Sequence, residues 1–257
     1  MKNHVRLFLA LIAAMAVSTI SLAAPAGANH AWGGYHWART SNPFTLKLGD
    51  NVDASWDALL REASADWSAS SVLDTTVVTG TTDGRKCRAS TGRVEVCNAR
   101  YGQNGWLGIA QIWASGPHIT KAVVKANDTY FAMAAYNSPA MRRFVMCQEV
   151  GHAFGLDHQD VAFDNANLGT CMDYTSNPAG PPSNEHPDAH DFAQLESIYS
   201  HLDNTSTVAA SAPASAAGAN DRASWGRVVG TDSNGRPTHF ERVVDGQRVM
   251  TFVIWAA

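Results

Sequence analysis

The sequence predicts an α+β fold: a twisted mixed sheet with a backing helix, a central helix and a C-terminal helix, then a linker and a small β appendage. Three observations predict it. Short β-branched or alternating runs recur through the first half of the chain. Three segments repeat apolar residues at helical spacing or open with helix-start signals. Composition then shifts to Ser/Ala/Thr over residues 205–220, the signature of a flexible linker.

Taken in order, residues 1–28 read as a secretory signal. Lys2 and Arg6 form a positive n-region, Leu7 to Leu22 an apolar core, and Ala26-Gly27-Ala28 a small-residue cleavage site. A secreted, extracellular protein without a membrane anchor after cleavage is expected. Residues 29–45 are aromatic-rich and lead into a strand, and Thr45–Leu48 alternates as a half-buried strand does. Trp56, Leu59, Leu60, Ala63 and Trp67 form one helical stripe behind a cap at Asp53 or Ser55. Thr75–Thr79, Trp106–Ile112 and His118–Asn127 read as strands, the last two joined by a Ser-Gly-Pro turn. Ser138-Pro139 opens a second helix, cap before proline, running to Gly155. A third begins near Asp188 with Phe192, Leu195, Tyr199 and Leu202 on one stripe. Residues 221–257 alternate in short apolar runs broken at Asp232–Gly235 and Asp245-Gly246, a three-stranded meander too small to hold a core alone. The division is therefore signal 1–28, main domain 29–204, linker 205–220 and meander 221–257.

Charged residues are 16% of the chain and the net charge is -4, which points away from nucleic acid and anionic membrane as partners. The chain has four cysteines, and in an oxidising compartment two disulfides are expected. Three pairings are open. Cys87 and Cys97 flank a short polar segment and read as a bridged hairpin, which leaves Cys147 with Cys171.

The chemistry-bearing stretch is Gln148-Glu149-x-x-His152-x-x-Gly155-x-x-His158. Residues four apart on a helix share a face, so side chains 148 and 152 converge. Glu149 lies about 100° round from Gln148, in reach of a metal-held water without being a ligand. Gly155 lets the chain leave in a left-handed turn, returning His158 to the same point. Catalytic zinc takes three protein ligands and keeps one position open. Cys147 lies about 140° from His152 around the helix and faces elsewhere.

Residues 148–158 resemble a metzincin zinc-binding sequence in its long form, with glutamine in place of the first histidine. Cys171-Met172-Asp173-Tyr174 resembles the methionine turn of that family, and the element order over residues 30–204 resembles the matrixins. The resemblance implies a secreted zinc endopeptidase acting on protein or peptide, monomeric, with Glu149 as general base. Gln148, His152 and His158 would be the metal ligands, Tyr174 an oxyanion helper, and Gly155 and Met172 structural supports. Substrate would lie along a sheet-edge strand at Trp106–Ile112. Three outcomes stay open at Gln148: coordination through its side-chain oxygen; a site completed by Tyr174 or a distant histidine such as His36 or His118; or an empty site in a pseudo-protease acting as a binding module. The remaining histidines read as surface, cap or packing residues. Asp157, Asp160 and Asp164 offer oxygens to calcium but read better as solvated loop carboxylates. No cysteine of the matrixin switch type lies between the signal and the first helix, so any latency is expected from other segments, the C-terminal appendage included.

Overall fold

The computed structural model describes residues 30–208 and 216–256. The expected signal segment and residues 209–215 of the expected linker lie outside them.

The chain folds as α+β. Strands β1 (His36–Trp37) and β2 (Phe44–Asn51) precede helix α1 (Asp57–Trp67), followed by β3 (Leu73–Thr79), β4 (Arg88–Ala89), β5 (Arg93–Ala99), β6 (Trp106–Ser115) and β7 (His118–Asn127). Helices α2 (Asp128–Phe131), α3 (Pro139–His152) and α4 (Ala189–Ile198) come next, then β8 (Ala216–Ala217), a 3-10 turn at Arg222–Ser224, β9 (Arg227–Thr231), β10 (Pro237–Val244) and β11 (Gln247–Trp255). One mixed sheet runs β3-β2-β5-β7-β6-β11-β10-β9, with β1 also on β7. β2, β3, β5 and β7 pair in parallel, whereas β6, β11, β10 and β9 continue antiparallel.

Why these residues form these elements is largely a matter of burial. Leu60, Ala63 and Trp67 of α1 and Phe144, Val145 and Val150 of α3 enter one core with Leu46, Leu48, Val94, Val96 and Ile112 from the sheet. The Trp67 indole donates to Cys147 O at 3.1 Å, pinning α1 to α3. Ser138 caps α3 by accepting from Met141 N, with Pro139 at the first helical position, as its sequence predicts. Asp188 and Asp191 form a reciprocal capping box on α4.

Several expectations are corrected. Trp56, not Asp53 or Ser55, is the residue at the α1 boundary, and no side chain caps it; Asp53 is spent on Ser55 at 2.6 Å. Helix α3 stops at His152, and Gly155 stands beyond it with φ +99°. Leu202 is exposed instead of completing the α4 stripe. Cys87–Cys97 is bonded, but not as a hairpin: β4 pairs with β8, and β5 pairs with β2 and β7. Cys147–Cys171 is bonded as expected.

The largest correction concerns β6. It is not a free edge, because β11 pairs with it antiparallel from Arg248↔Ala114 to Trp255↔Trp106. The C-terminal meander does form, yet as a continuation of the main sheet. Trp225, Phe240, Val253 and Trp255 pack with Trp106 and Ile109 on the face opposite the helices.

Candidate active site

Helix α3 carries Gln148, Glu149 and His152, all buried; Glu149 lies against Gly108 of β6 and His152 against Phe252 of β11, while Gln148 reaches the turn at Cys171. The chain then turns at Gly155. A side chain there would run into the Tyr35 carbonyl, and the positive φ favours glycine independently. The turn returns His158 to His152, with the two Nε2 atoms 3.1 Å apart and the rings edge-on. Behind α3, Gly151 leaves room for Met172: a Cβ at 151 would stand 2.7 Å from the Met172 Sδ. The Cys147–Cys171 bond and the Gln148 Nε2 hydrogen bond to Cys171 O (2.6 Å) fix the Thr170–Tyr174 turn against the helix.

Tautomers follow from the hydrogen bonds. His152 Nδ1 lies 2.8 Å from Leu156 O, an acceptor, so Nδ1 carries the proton and Nε2 presents its lone pair inward. His158 has two faces. Its Nε2 meets His152, while its Nδ1 lies 3.4 Å from Asp157 Oδ1. The same carboxylate oxygen sits 3.2 Å from His239 Nε2 of β10. Asp157, His158 and His239 are thus a connected group, with the His158 and His239 rings stacked at 5.2 Å. Neither His158 Nδ1 nor His239 Nε2 makes a hydrogen bond of good geometry, so Asp157 acts on both rings as a close negative charge, on the side of His158 away from His152.

Electrostatics agree with neutral, lone-pair-bearing imidazoles. Burial drives His152 well below the usual histidine range, helped by the neighbouring His158. Burial likewise brings His158 down to about 4, against the opposing pull of Asp157. Burial works to raise the Asp157 carboxyl, but His158 and His239 outweigh it and hold that group far below the carboxylate norm. Glu149 is pushed well above its ordinary value by burial; the amides of Ile254 and Ala110 pull the other way. Neither Glu149 oxygen makes a hydrogen bond of good geometry, so those amides act as nearby dipoles. Gly108 of β6 is what allows the approach, since a Cβ there would stand 2.6 Å from Glu149 Oε1.

Gln148 Oε1 is buried with no partner, even as its Nε2 is satisfied. Two imidazole lone pairs and one orphaned carboxamide oxygen on adjoining turns are a donor set that fits a divalent cation. Tyr174 packs at a tilt of 41° against the His158 ring, centroids 4.1 Å apart, but its hydroxyl donates to Val253 O of β11 at 3.2 Å. Burial, chiefly, raises its pKa well above the usual tyrosine value.

The meander closes this region. Phe252 of β11 lies flat on the His152 ring, centroids 4.1 Å apart and planes 6° apart, and meets Trp32 edge-on at 4.2 Å. A cavity of 870 Å³ remains to one side, lined in part by Trp32, Asp157, His158, Arg227 and His239.

Sequence reasoning did not single out His239 or place Asp157 between two histidines. Nothing in spacing marks His239; only the β10 register delivers it. His36 and His118, considered above as distant ligands for this centre, gather elsewhere, on Asp203. Asp157, Asp160 and Asp164 do not form a group among the described residues; Asp160 instead accepts from Ala162 N at 2.7 Å and from Asn165.

No protein-family model and no curated protein matches the chain. Among solved structures, a similar chain is High choriolytic enzyme 1, a hatching enzyme zinc-protease from Oryzias latipes (medaka fish). It is 11% identical, with a TM-score of 0.34, and the match covers 67% of this chain and 98% of that one.

Proposed function

We propose that the protein is a secreted zinc-dependent endopeptidase of metzincin type, held closed by its own C-terminal strand. The observation that carries this reading is the meeting of His152 and His158 at 3.1 Å, with an unpartnered Gln148 oxygen one helical turn before His152 and a buried Glu149 beside it. His152, His158 and Gln148 would hold the ion, with the Asp157 charge beside His158. When bound, zinc polarises a carbonyl and makes a coordinated water acidic.

The chain's own residues supply the rest. Glu149 takes the proton released as the peptide carbonyl is attacked and passes it to the leaving amine. A cation beside it would lower its pKa from the burial-raised value toward that role. An extended substrate would pair with β6 through backbone hydrogen bonds. β11 now fills that track, running antiparallel with Phe252 opposite Ala110. Turnover therefore requires β9–β11 to move, and the 209–215 segment is where cleavage would release them. Secretion rests on the 1–28 segment; the two disulfides suit it, and no helix among the described residues is long and apolar enough to cross a membrane.

A second reading is favoured by one specific observation, the complete burial of Glu149 beneath β11. On it, the frame is a permanently closed binding module. The test is zinc content and hydrolysis of an unfolded protein substrate, before and after nicking at a protease site inserted within 209–215. Activity after nicking that vanishes in Glu149→Ala supports the latent peptidase. Bound zinc without hydrolysis in either state supports the closed module, and absence of zinc removes the metal from both.

A further inference from the structure

We propose a second metal site, remote in sequence from the α3 centre, made by His36 of β1 with His201 and Asp203 beyond α4. Two separate pieces of chain supply its ligands. β1 pairs parallel with β7 so that His36 stands opposite His118, and the segment after α4 is tied alongside by Asp203 N donating to Arg39 O at 2.9 Å. One potential ligand atom from each of His36, His201 and Asp203 lies within 4.8 Å of the others.

The separations are those of ligands around one ion. His201 Nε2 is 3.3 Å from His36 Nε2, His36 Nε2 is 3.4 Å from Asp203 Oδ1, and His201 Nε2 is 3.7 Å from the same oxygen. A tetrahedral zinc with bonds of about 2.0–2.1 Å has ligand–ligand edges of roughly 3.3–3.4 Å. Two imidazoles and one carboxylate leave a fourth position for water, and the exposed side is His201, whose side chain is 54% accessible.

The proton inventory favours a cation there. His36 Nδ1 lies 2.9 Å from the Gly34 carbonyl, so that nitrogen carries the proton and Nε2 is a lone pair. With Nδ1 committed to that carbonyl, Nε2 is the nitrogen turned toward Asp203 Oδ1 and His201, as a ligand aimed at a shared ion would be. Asp203 is held for the task. Its Oδ2 receives Arg39 Nη1 at 3.0 Å and Arg39 N at 3.2 Å, which leaves Oδ1 to the histidines. His118 Nε2 donates to that Oδ1 at 3.1 Å from outside the triad, the orienting contact expected around a ligating carboxylate. Imidazole with carboxylate suits zinc or a neighbouring divalent transition ion. The role is a staple: it would join the N-terminal strand to the tail after α4, independently of whether α3 holds an ion.

The test is zinc titration of the tag-free purified protein, with cobalt as a spectroscopic stand-in, in wild type, His201→Asn, His36→Gln and His152→Ala. His201→Asn, at an exposed position, should lose one zinc equivalent per chain and keep its fold by circular dichroism. His152→Ala should keep that equivalent, and zinc should still raise its melting temperature. In His152→Ala/His201→Asn the zinc-dependent rise should vanish. Unchanged zinc equivalents and an unchanged cobalt spectrum in both His201→Asn and His36→Gln would overturn the site.

Discussion

Replacing Phe252 with alanine tests whether β11 is a cover that can lift or a fixed part of the sheet. Phe252 is fully buried, stacked on His152 and edge-on to Trp32 and to His239 at 4.7 Å. Truncating such a side chain costs about 3–5 kcal/mol in lost contacts and residual cavity. Each 1.4 kcal/mol is about tenfold in an equilibrium, so if the loss falls on local opening, β11 should open roughly 10²- to 10⁴-fold more often. Native-state hydrogen exchange reads this directly. Amides along the β6–β11 ladder should lose protection by that factor, while those between β2, β5 and β7 change far less. On the latent-peptidase reading, hydrolysis by the intact chain should rise in parallel. A uniform loss of protection across the whole sheet would refute the reasoning, because β11 would then unfold only with the core.

Other outcomes are as specific. Glu149→Gln should lower peptidase turnover of the nicked chain by at least about 10²-fold, while the stability of the intact chain holds or rises, since there a buried carboxyl without a well-formed hydrogen bond is removed; turnover of the nicked chain and thermal melting of the intact one check it. Lys125 is brought down to about 7 by burial, with Arg242 adding to it, so the unfolded chain binds its proton more readily than the folded one. Stability should therefore rise with pH between about 7 and 10.5, by on the order of 4–5 kcal/mol in total, and urea midpoints of wild type against Lys125→Met should show the slope disappear in the variant. Removing the Cys147–Cys171 bridge, with a separation of 24 residues, should cost roughly 3–4 kcal/mol by loop-closure entropy; removing Cys87–Cys97, with a separation of 10, should cost less. Denaturant midpoints of the two paired alanine variants rank them.

Local signals in the sequence were informative wherever one residue decides local geometry. Ser138-Pro139 starts α3, Gly155 turns the chain, and Asp188 opens α4, because caps, prolines and positive φ act within a few residues. β5 was not legible. Its polar and apolar residues alternate only over Arg93–Val96 before Cys97 breaks the pattern, and the polar Glu95 and Asn98 are buried as well, so the alternation does not mark an exposed face. Glu95 is held there by Arg93 at 2.9 Å and by Thr81 and Asn51, partners a linear reading cannot supply. The meander was visible as three strands, but its docking on β6 is a register set by tertiary contacts: Met250, Phe252 and Ile254 to the helical core, Val253 and Trp255 to the opposite face. His239 and the histidines around Asp203 are likewise products of long-range pairing, with no spacing to betray them.

The pairing of β11 with β6 also bears on how the protein avoids itself. Were the meander released, β6 would present a ladder from Trp106 to Ala114 with its backbone groups unpaired and large apolar side chains on both faces. Such an edge templates strand addition from any neighbour, including a second copy. The most ready neighbour is the β11 of another molecule, which would restore every contact in exchanged form and yield a domain-swapped dimer. Opening the groove and losing solubility are therefore coupled in this fold. A chain whose meander has opened should be found bound to a peptide, swapped with a copy, or aggregated, and β9, the outermost strand of the closed sheet, leaves β6 together with β10 and β11.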